Sequence, residues 1–125
     1  MVIVDTSVLI DHIRQIGKSE SFLEKILADI TESDFAISIL SIQELYQGQS
    51  TRDEIKEQQL LDILSKFEIL PYTYEVAKLA GEIARDHNLI EFPDAAIAST
   101  ALIHQSPLLT LNKKDFLKVK GLAIL

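Results

Sequence analysis

The sequence predicts an α/β fold: a single domain over residues 1–125, with a mainly parallel central sheet of about five strands and helices on both faces. Three observations predict it. Short runs of Val, Ile and Leu alternate along the chain with stretches whose apolar residues recur at helical spacing. Strands separated by helices need crossover connections, which favour parallel pairing with both faces covered. The 125 residues, 47% hydrophobic and 25% charged, suit one folded domain with a substantial core.

Val2-Ile3-Val4 reads as a short buried strand. Residues 7–16 read as a helix with Val8, Leu9, Ile13 and Ile16 on one face, stopped by Gly17. Ser19 or Ser21 starts the next helix, whose stripe is Phe22, Leu23, Ile26, Leu27 and Ile30. Phe35-Ala36-Ile37-Ser38-Ile39 is a second strand, followed by helices over residues 41–49 and 53–66. The latter is expected to bury Ile55, Leu60, Leu61 and Leu64 and to expose Asp53, Glu54, Lys56 and Glu57. Glu68-Ile69-Leu70 is a strand ended by Pro71. Residues 74–87 form an amphipathic helix. Residues 93–104 form another, apolar nearly all round and rich in alanine; it must be buried, and its small side chains allow close approach to the sheet. Leu108-Leu109-Thr110-Leu111 and Leu122-Ala123-Ile124-Leu125 are the last strands. No linker, repeat or low-complexity tract interrupts the pattern.

Composition excludes several classes. Without cysteine there are no disulfides, thiolate nucleophiles or Cys-based zinc sites. His12, His87 and His104 lack HExxH or HxH spacing, so a histidine metal centre is not expected. The apolar runs fall far short of the roughly 18 residues that span a bilayer. The N-terminus has no basic region ahead of its apolar stretch and reads as a strand rather than a signal peptide. A soluble cytoplasmic protein with no membrane partner is the expectation. The net charge of −7 argues against a general nucleic-acid coat but leaves room for a nucleic-acid enzyme with negative charge gathered at a metal site. Lys113, Lys114, Lys118 and Lys120 lie close together near the C-terminus, either as a solvated surface or as a phosphate-contacting rim near Asp115.

Four acids stand beside apolar runs: Asp5 after the first strand, Glu44 after the second, Asp94 at the mouth of the alanine-rich helix and Asp115 after Leu108–Asn112. Burying a lone carboxylate costs several kcal/mol unless a partner or metal compensates. In a parallel sheet, strand C-termini and helix N-termini share one edge, where ligands bind, so all four can converge there. Converging carboxylates suit a hard cation such as Mg²⁺ or Mn²⁺. Each acid also has a plainer structural role. Asp5 would cap the first helix. Glu44 would complete a capping box with Ser41. Asp94, after Pro93, would complement the helix dipole. Asn112-Lys113-Lys114-Asp115 would be a polar turn.

The same residues resemble the PIN-domain ribonucleases, and most closely the VapC toxins of bacterial and archaeal toxin–antitoxin pairs. The motifs that carry the resemblance run in order over nearly the whole chain: Val2-Ile3-Val4-Asp5-Thr6-Ser7-Val8-Leu9-Ile10, then Ser41-Ile42-Gln43-Glu44-Leu45, Asp94-Ala95-Ala96-Ile97-Ala98-Ser99-Thr100-Ala101 and Leu109-Thr110-Leu111-Asn112-Lys113-Lys114-Asp115-Phe116. One departure is Asn88, where the family often has glycine; asparagine tolerates a left-handed turn. The resemblance implies cleavage of single-stranded or looped RNA with Mg²⁺, or Mn²⁺ as a substitute. It makes Asp5 and Asp94 the direct ligands, with Glu44 and Asp115 completing the acidic pocket directly or through metal-bound waters; Thr6 and Thr110 are candidate supports for carboxylates or water, and Asn112 is either a further support or a turn former. It further implies a homodimer silenced by a VapB-like antitoxin lying in an apolar groove; the apolar residues of 53–67 and 74–84 are compatible with such a groove and equally with ordinary core packing. A phosphoreceiver domain would need a paired acid after the first strand and a phosphoacceptor Asp after the middle one; a single Asp5 and Leu40-Ser41 stand there instead. A catalytically silent interaction module of the same fold is the remaining alternative.

Overall fold

The computed structural model describes residues 1–29 and 34–125. Strands β1 (Val2–Val4), β2 (Phe35–Ser38), β3 (Glu68–Leu70) and β4 (Leu108–Leu109) pair in parallel in the order β3-β2-β1-β4. Ile3 lies between Ala36 on one side and Leu108 on the other, which fixes the register. Residues 122–125 add only an isolated bridge, Leu108 to Ile124, outside β4. The Leu108 N–H donates to the Ala123 carbonyl at 2.9 Å and the Leu125 N–H to the Leu108 carbonyl at 2.9 Å. The turn at Gly121, φ 83°, delivers the chain to the edge only at its last residues, so the expected fifth strand is reduced to this contact.

The helices are α1 (Thr6–Gln15), α2 (Phe22–Asp29), α3 (Ile39–Gln47), α4 (Glu54–Leu64), α5 (Tyr74–Asp86), α6 (Phe92–Ile103) and α7 (Lys113–Phe116), with a 3₁₀ turn at Ser50–Arg52. Side chains alternate across the strands and divide the core in two. Val2, Val4, Phe35, Ile37 and Leu109 pack with Val8, Leu9, Leu23, Leu45, Leu60 and Leu64 on one face. Ile3, Ala36, Leu70 and Leu108 pack with α5, α6 and Phe116 on the other. Residues Ala95 to Ala101 of α6 are all buried, as the apolar composition of that helix requires.

Hydroxyls and carboxylates set where helices begin. Ser21, rather than Ser19, opens α2: its Oγ accepts the Glu24 N–H at 3.2 Å. Asp53 Oδ1 accepts the Ile55 and Lys56 N–H groups at 2.9 and 3.3 Å, and Thr73 Oγ1 accepts the Val76 N–H at 3.2 Å. Each such cap contributes about 1 kcal/mol. Ser38 caps α3 through the Leu40 N–H at 3.1 Å, so the helix starts at Ile39, two residues before the expected start, and β2 ends at Ser38. The capping box at Ser41 is thereby ruled out, because Glu44 lies in the second turn of α3, beyond reach of the orphan N–H groups.

Other differences follow from packing. Ile55 is 73% exposed and Leu61 also faces solvent, because α4 buries only Leu60 and Leu64 fully. Leu27 is exposed too, while Ile30 lies outside the described residues. The apolar face of α5, Val76, Ala80 and Ile83, is filled by α6, and the Ser99 hydroxyl donates to the Val76 carbonyl at 2.7 Å. That face is core. Asn88 keeps negative φ, and the turn there closes by an Ile90 N–H to His87 carbonyl bond at 3.0 Å. The left-handed residue is Gln105, φ 51°, where the Gln105 and Ser106 N–H groups reach back to Leu102 and Ala101 and finish α6. Among the described residues no helix is long and apolar enough to cross a membrane.

Candidate acidic active site

The strand order reverses direction at β1: the chain leaves it for β2 on one side, and β4 lies on the other. The crevice at such a point, beyond the strand C-termini, is where parallel α/β sheets bind ligands. Asp5 follows β1 directly, Thr110 follows β4, Asp94 lies in the first turn of α6 and Asp115 in α7.

Asp5 occupies the N-cap position of α1 but makes no side-chain cap bond. The residue is 3% exposed and its carboxylate is held from the side: the Ser7 and Thr110 hydroxyls both donate to Oδ2 at 2.7 Å. Hydrogen bonds to a charged acceptor contribute about 1.5–3 kcal/mol each, enough together to offset a desolvation cost of several kcal/mol. With both donors on Oδ2, no donor among the described residues engages Oδ1, and no buried oxygen is left orphaned, so Oδ1 keeps access to the cleft. Ser7 Oγ accepts the Leu111 N–H at 3.2 Å and Thr110 Oγ1 the Asn112 N–H at 2.9 Å, which ties both hydroxyls to the loop after β4.

A second chain of hydroxyls holds Glu44. Thr6 Oγ1 donates to Glu44 Oε1 at 2.7 Å, so in the 2.8 Å contact between Thr6 and the buried Ser41 it is Ser41 that donates. Burial raises the Glu44 pKa; the Thr6 hydrogen bond pulls it down, and the charges of Asp5 and Glu91 push it up again. Asp94 is perturbed furthest. Burial, then the charges of Asp5, Asp115, Glu44 and Glu91, raise its pKa from 3.8 to about 6.

The other three sequence-derived acids are therefore within electrostatic reach of Asp94, and the set is graded from buried Asp5 through half-buried Glu44 and Asp94 to exposed Asp115. Among the described residues, however, no three His, Asp or Glu side chains are gathered into a ready-made metal cage. Charge coupling extends further than ligand distance, so the two observations agree: the acids feel one another's charge without closing on a point. Their chemistry fits a hard cation: all donors are oxygens, and like charges crowd a half-buried cleft. Mg²⁺ commonly takes one or two carboxylates and keeps several waters, which such an open arrangement can satisfy.

Thr6 and Thr110 act on carboxylates as supports, whereas the Asn112 side chain makes no cap bond and only its backbone N–H joins the network. Three contributors escape a reading of single motifs. Ser7 and Ser41 pass as capping residues in the sequence, and Glu91, the N-cap position of α6, carries no signal beyond being an acid three residues ahead of Asp94. Thr110→Val removes one of the two donors on Asp5. Loss of such a support typically costs about 10–100-fold in metal affinity or activity. An equal fall in divalent-cation affinity, measured by calorimetry, with an unchanged melting temperature is the expected result.

The sequence profile described as PIN domain matches residues 2–122, and the chain belongs to that family. Within it the chain is VapC-like. It is 33% identical to Ribonuclease VapC10 of Mycobacterium tuberculosis over 120 residues, covering 93% of this chain and 86% of the relative. It is 35% identical to Ribonuclease VapC1 of Methanocaldococcus jannaschii over 124 residues, covering 95% and 81%. Among solved structures, VapBC2 from Rickettsia felis bound to a DNA fragment from its promoter superposes with a TM-score of 0.79 at 27% identity, covering 100% of this chain and 98% of that one.

Proposed function

We propose that this chain is a cytoplasmic Mg²⁺- or Mn²⁺-dependent endoribonuclease that hydrolyses single-stranded or looped RNA, the toxin of a VapB–VapC pair. The observation that carries the reading is the acidic pocket at the switch point, with Asp94 raised to about 6 by burial and three neighbouring acids of the motif set. The relatives named as VapC ribonucleases support the activity and the class of substrate.

The chain's own residues divide the work. Asp5 presents Oδ1 from a carboxylate locked by Ser7 and Thr110. Asp94 stands in the first turn of α6, just ahead of its buried stretch Ala95 to Ala101, and Glu44 is steadied by Thr6. Asp115 closes the rim on the solvent side. When bound, Mg²⁺ or Mn²⁺ offsets the charge developing on the phosphate and activates water for attack at phosphorus. The half-buried walls limit competing water and strengthen each of these interactions.

The partner in this reading is a VapB-like antitoxin bound to a toxin homodimer. A groove between α1, α3 and α4, lined by Ile10, Ile13, Leu45 and Leu60, runs to Glu44 and supports that expectation. Exposed Ile55 extends the apolar surface along α4. The interaction-only alternative has no specific observation in its favour.

Expression in a bacterial host followed by sequencing of newly formed RNA 5′ ends tests the assignment and reveals the target. Discrete cut sites in cells making the parent chain, absent with Asp5→Asn, are expected. An identical 5′-end profile for parent and variant would refute it.

A further inference from the structure

Resting on the ribonuclease reading, we infer that the cleft between the α5–α6 loop and α7 is a nucleotide subsite flanking the scissile phosphate. Its walls are His87, Leu89 and Ile90 from the loop and Lys114, Asp115, Lys118 and Val119 from α7 and the turn after it. Asp115 belongs to the acidic pocket as well, and the same loop leads through Glu91 into Asp94, so the cleft opens directly off the reaction site.

Two features fit a nucleotide rather than a solvated surface. Leu89 is 81% exposed although it sits beside half-buried Ile90 and buried Val119, which together offer an apolar wall to the flat face of a base. Lys114 and Lys118 are exposed and take part in no ion pair among the described residues, although the chain carries 19 acidic side chains against 12 basic ones. An acidic pocket repels phosphate, and in a chain of net charge −7 a productive strand needs local cations to hold its backbone against that field. Lys114 and Lys118 supply them one residue and three residues from Asp115, and a single-stranded substrate leaves its bases free to lie on the apolar wall. Lys114 and Lys118 are positioning residues that hold the strand's phosphates.

The test compares the parent with Lys114→Ala/Lys118→Ala, with Leu89→Ala, and with Lys66→Ala, an exposed charge control ahead of β3 on the opposite edge of the sheet. Binding of a fluorescein-labelled single-stranded RNA is read by anisotropy in EDTA across a salt series, and cleavage kinetics are read in Mg²⁺. The lysine pair is expected to weaken binding about tenfold, to lower the slope of log affinity against log salt by about 1.4, about 0.7 for each phosphate contact on a single strand, and to raise KM about tenfold with kcat within about twofold. Leu89→Ala is expected to weaken binding of RNA but not of an abasic strand of equal length. Lys66→Ala is expected to match the parent. Equal effects of the lysine pair and Lys66→Ala would mean diffuse electrostatics, and unchanged binding and KM would mean no contact; either overturns the subsite while the ribonuclease reading stands. Loss of binding to an acidic peptide with RNA binding retained would assign the cleft to a protein partner and overturn it too. A parent that neither binds nor cleaves RNA would remove the ribonuclease reading itself.

Discussion

Asp94→Asn is expected to abolish RNA cleavage, by about 10³-fold or more, and to make the metal-free protein more stable at neutral pH. The first effect follows from taking away a charged oxygen at the centre of the acidic pocket; about 10³-fold corresponds to about 4 kcal/mol of barrier. The second follows from the environment of the same group. Its folded pKa, about 6, lies above the ordinary value of 3.8, so ionisation is disfavoured by folding, first through burial and then through the neighbouring acids. The penalty is absent below about pH 4, grows between 3.8 and 6, and is fully present above that range. Because the group is only half-buried, solvent screening leaves about 1–2 kcal/mol of it, a rise of a few degrees in melting temperature. Melts of parent and variant in EDTA should therefore separate at pH 7.5 and coincide near pH 4. Loss of activity with a lower melting temperature at pH 7.5 would instead mean a damaged fold.

Phe116→Ala is expected to be the most destabilising single truncation near the site, by about 3–5 kcal/mol. Phe116 is fully buried in the α5–α6 side of the core, the only buried residue of the four-residue α7. Against a total stability of about 5–15 kcal/mol this is a large fraction. A helix so short has no stability of its own, so Phe116 is what keeps Asp115 on the rim and Lys114 at the neighbouring cleft. Urea denaturation should show the lower midpoint, and activity measured well below that midpoint should still be reduced. A loss below 1 kcal/mol would show that α7 is held by something other than its aromatic anchor.

Much of the fold was legible because it depends on periodicity. Val2-Ile3-Val4 and Glu68-Ile69-Leu70 form strands where the apolar runs place them, and the all-apolar stretch after Asp94 is the buried helix it had to be. Boundaries decided by side-chain competition were not legible. Ser38 and Ser41 are equally good caps on paper; Ser38 wins because Ile37 must stay in the sheet while Ile39 can face solvent. Asn112-Lys113-Lys114-Asp115 reads as a polar turn until Phe116 is seen to enter the core and anchor a short helix.

The acids proposed for the site were legible in the sequence, and the hydrogen-bond network around them was not. The edge shared by strand ends and helix starts brings Asp5, Glu44 and Asp115 within electrostatic reach of Asp94. That Thr110 and Ser7 hold the same oxygen of Asp5 joins positions more than a hundred residues apart, which no local pattern encodes. Likewise Glu44 is released from its apparent capping role only because α3 starts early, leaving its carboxylate to Thr6.

The most direct test is cleavage of a mixed pool of tRNA, ribosomal RNA and messenger RNA by the purified chain, with and without divalent metal. Discrete fragments are expected in Mg²⁺ or Mn²⁺, lost on chelation with EDTA and recovered when the cation is restored in excess. Cleavage at an undiminished rate in EDTA, or no cleavage of any RNA with the metal present, would contradict a metal-dependent ribonuclease built on Asp5 and Asp94.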